Sequence, residues 1–160
     1  MKYLKYLSYV LRHKWYVLIE CFKIGLILEG LVHDLSKFSP KEFIPYARFF
    51  YGDKFKTSKE GYFKDNDQSD KDFDLAWLNH QKMNKHHWQW WLVPMDKGLT
   101  RPLEMPKKYV DEMICDWEGA GKAQKVKGTI QEWYKKYKNK MQLHPETAIL
   151  VEKILAERNK

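Results

Sequence analysis

Gly30-Leu31-Val32-His33-Asp34-Leu35-Ser36-Lys37 closes the most apolar part of the chain and turns it abruptly polar. Upstream, from Tyr3 to Val32, apolar residues recur at helical spacings, with Leu4, Leu7, Leu11, Trp15, Leu18 and Phe22 on one stripe. That periodicity predicts a buried core helix, broken near Gly25 or Gly30. Glu20, Lys23 and Glu29 interrupt its most apolar part and argue against a membrane span. A histidine and an aspartate side by side can both bind one divalent cation, the imidazole through a ring nitrogen and the carboxylate through oxygen. His13 lies earlier on the same helix. Downstream stand His80, His86, His87 and Asp116, so five of the six histidines could belong to one polar cluster.

The rest of the chain reads as helices. Ser39-Pro40-Lys41-Glu42 carries a capping signal, with Ser39 as cap, Pro40 at the first helical position and Glu42 reaching back. The helix it starts should run toward Tyr51 and bend at Pro45. Residues 52–70 are polar and read as a long loop or lid. A further helix, from Lys71 or Asp72 to about Trp91, carries His80, His86 and His87. Pro94, Gly98, Pro102 and Pro106 make an irregular connector, and the helix after it, holding Cys115, Asp116 and Trp117, should stop at Gly119-Ala120-Gly121. Two more helices are expected near Thr129 to Lys140 and Pro145 to Arg158. With no run alternating as a strand does, the expectation is an all-α fold, one domain over 1–160.

Charge and cysteine content narrow the class. Lys and Arg number 29 against 21 Asp and Glu, a net charge of +8, which favours an anionic partner, either a phosphate-bearing small molecule or nucleic acid. The run from Lys135 to Lys140 reads as the solvated face of one helix. Cys21 and Cys115 sit in apolar helical patterns, as buried thiols of a reducing compartment do. Met1 to Arg12 lacks the pattern of a secretory leader, so a soluble cytoplasmic protein without membrane contact is expected.

Helical spacing tests the candidates. His80 and His87, seven residues apart, share a side with Asn84 between them, but on a regular helix they stand about 10 Å apart along the axis. They could not then share an ion at about 2.0–2.1 Å. Either they do different work, one as metal ligand and one as phosphate contact, or the helix ends before His86. Asp116, between Cys115 and Trp117, needs a cation or a donor if it is buried. His144 before Pro145 reads as a cap or a surface residue. Trp88, Trp90 and Trp91 either stack on a base or, as is commoner, belong to the core.

In its order His13, His33-Asp34, Asp116 the chain resembles the HD superfamily of metal-dependent phosphohydrolases. Lys37, three residues after Asp34, is similar to the lysine of the His-Asp-x-x-Lys versions. The whole chain also resembles a small uncharacterised bacterial and phage family that shares His-Asp-x-Ser-Lys, the segment Asn84-Lys85-His86-His87-Trp88 and the Asp-Trp pair. The resemblance implies an HD-like helical bundle with His13, His33, Asp34 and Asp116 around one divalent transition metal, Mn, Fe, Co, Ni or Zn. In two-metal members the aspartate at the position of Asp34 bridges, and His80 with His86 or His87 would hold the second ion or contact phosphate. The chain departs from the cyclic-dinucleotide branch in its shorter spacing from His80 to the His-His pair and in lacking a Gly-Tyr-Pro signature. The activity implied is hydrolysis of a phosphate ester or anhydride, a nucleotide first among substrates, with Lys37, Asp34 and His80 catalytic. Two other classes stay open: a di-iron oxygenase, and a non-catalytic nucleic-acid or protein-binding module with a structural metal.

Overall fold

The apolar run at the amino terminus breaks at the first of the two expected glycines and folds as two helices. In the computed structural model, which describes residues 1–52 and 70–158, α1 (Lys2–Lys23) ends where Gly25 takes a φ of +79°. Leu26 N–H then bonds Cys21 O at 2.9 Å and Gly25 N–H bonds Phe22 O at 3.2 Å, closing the helix in the glycine-dependent manner. The chain reverses into α2 (Ile27–Val32). Lys14 pins α2 to α1 by donating to the carbonyls of Leu31 (2.7 Å) and His33 (2.9 Å).

After α2 come a 3-10 turn (Leu35–Phe38), α3 (Pro40–Tyr51) and α4 (Lys71–Met83). A second 3-10 turn (Trp88–Trp91) leads into a small antiparallel hairpin, β1 (Leu92–Pro94) and β2 (Thr100–Pro102). The remaining elements are α5 (Lys107–Gln124), α6 (Ile130–Tyr137), a 3-10 turn (Lys138–Lys140) and α7 (Pro145–Glu157). The fold is therefore all-α apart from the hairpin, whose strands are too short to show an alternating pattern. No helix among the described residues is long and apolar enough to cross a membrane. The expected lid at 52–70 falls almost wholly outside the described residues; of its ends, Asp70 caps α4 by accepting from Phe73 N–H at 3.0 Å.

The apolar periodicity of α1 has the right period and the wrong phase. Leu4, Leu11, Trp15 and Phe22 face outward, Leu4 being 72% and Trp15 61% exposed. The buried face is Tyr6, Tyr9, Val10, His13, Val17, Glu20 and Cys21. Its polar members are there because α1 packs on α5 and α3 along the side that carries His13. Tyr6, Tyr9 and Val10 join Tyr46, Phe49 and Phe73 in one core cluster. A second gathers Met113, Ile114, Tyr134, Val151 and Leu155 from α5, α6 and α7. Cys21 and Cys115 are free thiols, both buried with Val17.

Three further expectations are corrected. Helix α5 does not stop at Gly119-Ala120-Gly121 but runs to Gln124. Gly119 serves contact instead: a Cβ there would stand 2.4 Å from Val17 Cγ2 and 2.8 Å from Val17 N, so its absence lets α1 and α5 approach. The capping box foreseen at Ser39 and Glu42 is not made, since Ser39 caps with no side-chain bond. A capping box forms at Thr129 and Glu132 instead, with bonds of 3.2 and 2.8 Å. Helix α6 ends at Tyr137, the lysine-rich remainder being the 3-10 turn. His144 does cap α7, its Nδ1 accepting from Glu146 N–H at 3.3 Å.

Candidate metal centre

Four elements deliver the candidate ligands to one buried point. Helix α1 brings His13, the end of α2 brings His33, and α5 brings Asp116, with Glu112 one turn earlier on the same face. Asp34 has left-handed backbone angles (φ 53°, ψ 29°), a conformation costly for a residue with a Cβ, and it turns the chain into the 3-10 turn that holds Lys37. His13 Nε2 lies 3.5 Å from Asp34 Oδ2 and 3.2 Å from Asp116 Oδ1. His33 Nε2 lies 3.4 Å from each of the same two oxygens. The four residues named from the sequence are thus brought together.

The other three histidines meet them from the opposite side. Helix α4 does not continue to Trp91; it ends at Met83, and Asn84 turns extended. Asn84 Nδ2 donates to His80 O at 2.8 Å, while the indoles of Trp90 and Trp91 donate to Lys82 O (3.1 Å) and Lys85 O (2.8 Å), satisfying carbonyls at and just beyond the frayed end. The turn folds His86 and His87 back toward His80, so that His87 Nε2 lies 2.8 Å from His80 Nε2. Of the two possibilities left by spacing, the early helix end is the one realised. Asp34 Oδ1 stands 3.4 Å from His80 Nε2 and 3.5 Å from His86 Nε2, so one carboxylate presents an oxygen to each group of histidines.

The donor set fits a metal. Both ring nitrogens of His13, Nε2 of His33 and of His86, and Asp34 Oδ1 are buried without a hydrogen-bond partner, while Asp34 Oδ2 has only the Lys37 ammonium, at 2.6 Å. Orphaned groups of that kind are costly, and bound cations would satisfy those that face the centre. Ligands at about 2.0–2.2 Å from one ion sit roughly 2.9–3.5 Å from each other, the range of the separations above. Among the described residues, three groups of side chains could each hold a metal ion: His13, His33, Asp34 and Asp116; Asp34, His80, His86 and His87; and His33, His86 and Glu112.

Two glutamates orient the rings. Glu112 Oε1 accepts from His33 Nδ1 at 3.0 Å and from His86 Nδ1 at 3.1 Å, and Glu42 Oε2 accepts from His80 Nδ1 at 2.9 Å. Each contact fixes the proton on Nδ1 and leaves Nε2 facing inward as a lone pair. Ser36 Oγ (3.0 Å) and Asn79 Nδ2 (3.1 Å) donate to Glu42, which is fully buried. Sequence reasoning missed both glutamates. Glu112 was detectable in principle, four residues before Asp116; Glu42 was not, since its position suits a cap equally well.

Electrostatics follow from burial and neighbours. Burial would raise the Asp34 carboxyl, but His33, Lys37 and His80 hold it well below the ordinary range; Asp116 is likewise held low against burial by His13 and His33. Glu112, raised by burial but bonded to His33 and His86, comes down to about 2. Burial opposes the charge on Lys37, yet Asp34 and Asp116 outweigh it and keep the ammonium protonated, its Nζ 2.6 Å from Asp34 Oδ2. His87 is driven well below its usual value by burial, then by His86 and His80, and stays neutral.

A cavity of about 490 Å³ opens onto this centre and is lined by His13, Lys37, His87 and Asp116. Trp88 lines it too, whereas Trp90 and Trp91 are taken up in ending α4. One sequence family, described as a family of unknown function (DUF5662), matches residues 2–157. Neither the curated proteins nor the solved structures give a match.

Proposed function

The chain belongs to the DUF5662 family, and we propose from its site that it is a metal-dependent phosphohydrolase acting on a phosphate ester or anhydride, nucleotides among them. One observation carries the reading: the buried Asp34 carboxylate stands between two groups of histidines, with the Lys37 ammonium paired to it at the end of a cavity. The resemblance of His13, His33-Asp34 and Asp116 to the HD superfamily supports it. Mixed imidazole and carboxylate ligation suits Mn, Fe, Co, Ni or Zn. His13, His33, Asp34 and Asp116 would hold one ion, and Asp34 with His80, His86 and His87 a second. A bound divalent ion supplies a Lewis acid and a water acidic enough to be a nucleophile at neutral pH.

The side chains supply the rest. Hydrolysis joins the water oxygen to phosphorus and breaks the bond from phosphorus to the leaving oxygen; one water proton goes to solvent and one to the leaving group. Lys37 uses one N–H on Asp34 and has two left for phosphoryl oxygens, where negative charge develops. His80, assigned to catalysis from the sequence, does not line the cavity, but His87 does and touches His80. His87, held neutral with its Nε2 on His80, offers the cavity no proton to give, and the protonated Lys37 ammonium is the group placed to pass one to the leaving oxygen.

Protein purified without chelator should carry a transition metal and release phosphate from a panel of nucleotides and simple phosphoesters on addition of Mn²⁺, Co²⁺ or Ni²⁺. Asp34→Ala should lose both metal and activity; a variant that keeps both removes the reading. Sharing of Asp34 between two groups also suits paired irons. Oxygen consumption by an iron-coloured protein, without phosphate release, would move the assignment to an oxygenase.

A further inference from the structure

The cavity that reaches the metal centre is poor in available positive charge and rich in aromatic surface. Trp77, Trp88, Trp117 and Trp133 line it, drawn from α4, the 3-10 turn after it, α5 and α6. Trp117 and Trp133 meet at 5.2 Å between ring centroids, and Trp77 abuts both His80 and His87. Among the described residues three lysines or arginines line this space: Lys37, Lys122 and Arg158. Lys122 is ion-paired to Glu20, and Arg158 donates to Glu118 Oε2 at 2.7 Å and to Cys115 Sγ at 3.4 Å. Lys37 alone stands beside the histidine and aspartate centre, despite the net charge of +8.

Aromatic walls suit a planar body, with each ring contact worth about 0.5–1.5 kcal/mol beyond burial. A polyphosphate tail brings a further charge with every phosphate and wants an arginine, a lysine or an ion for each. Beyond Lys37 and the metal centre such a tail would meet tryptophans, the other lining cations being already paired with Glu20 and Glu118.

We propose that this cavity takes the phosphate monoester of a flat, uncharged organic group, its single phosphoryl at Lys37 and its ring system among the tryptophans, and turns away di- and triphosphates. The phosphoryl end rests on the hydrolytic reading; the aromatic end rests on the lining alone. The volume of about 490 Å³ lies within the range of small-molecule pockets.

The test titrates the purified protein with 1-naphthyl phosphate, AMP, ATP and inorganic phosphate, following tryptophan fluorescence and heat, and assays phosphate release from the same probes. The two monoesters should quench the tryptophans and bind about tenfold or more tighter than ATP or inorganic phosphate, as one or two ring contacts would give. Trp77→Leu and Trp88→Leu should each weaken 1-naphthyl phosphate and AMP about three- to tenfold while leaving the binding of inorganic phosphate unchanged; equal weakening of inorganic phosphate would mean that the tryptophans act on the fold rather than on the ring system. ATP bound or cleaved as well as AMP overturns the cavity assignment and leaves the hydrolytic reading standing, and inorganic phosphate binding as tightly as the monoesters also overturns it. Preferential monoester binding without phosphate release from any probe supports the cavity assignment and removes the hydrolytic reading.

Discussion

Glu112 shows how a residue with no motif can organise a site. One carboxylate oxygen holds two imidazoles, His33 and His86, that belong to different groups of ligands. Removing such a support commonly costs ten- to a hundredfold in metal affinity, and Glu112→Gln should fall in that range, roughly, by competition with a metal indicator. It should also change the acid limb of stability in chelated protein. The folded carboxyl titrates at about 2 against an ordinary 4.5, so its stabilising contribution is whole above the ordinary value and is lost as pH falls toward about 2. The glutamine variant lacks that contribution, and its melting temperature should decline less steeply over that window; an equal decline would show that the bonds to His33 and His86 are not made. The four ligands His13, His33, Asp34 and Asp116 were legible because they sit in a recognisable order. Glu42 and Glu112 were not, because a buried glutamate is identified by neighbours distant in sequence.

At the scale of elements, period was readable and phase was not. The sequence shows that α1 is a helix, yet its conspicuous leucine and tryptophan stripe faces out while tyrosines, a histidine and a glutamate face in. Hydrophobicity marks the inner face only where the interior is oil, and here the interior is built around a polar centre. The consequence is measurable by denaturant unfolding. Leu11→Ala, at a 52% exposed position, should change stability by no more than about 0.5 kcal/mol. Val17→Ala, fully buried against Gly119, should cost about 2 kcal/mol through lost transfer energy and a cavity. Equal losses would mean that α1 is rotated from the orientation described. The end of α4 was similarly hidden: Lys85-His86-His87-Trp88 allows a helix, and what ends it is Asn84 and two indoles bonding carbonyls near its terminus.

Across the whole molecule, the centre joins α1, α2, α4 and α5, so the same buried groups that could hold a metal also decide how firmly four helices hold together. Without an ion, His13, His33, His86 and Asp34 leave inward-facing atoms unsatisfied at the point where these helices meet. An ion that binds the folded chain and not the unfolded one adds stability as RT ln(1 + [L]/Kd), about 2.7 kcal/mol at a hundredfold excess over Kd. For a chain of 160 residues that corresponds to roughly 5–10 °C in melting temperature. Adding Mn²⁺ or Co²⁺ to chelated protein should therefore raise Tm by that order, with the gain reversed by chelator and absent in Asp34→Ala. Because the measurement needs no substrate, it separates metal binding from catalysis. A Tm indifferent to every divalent transition metal would leave the partnerless nitrogens and oxygen unexplained, and with them the case for a metal centre.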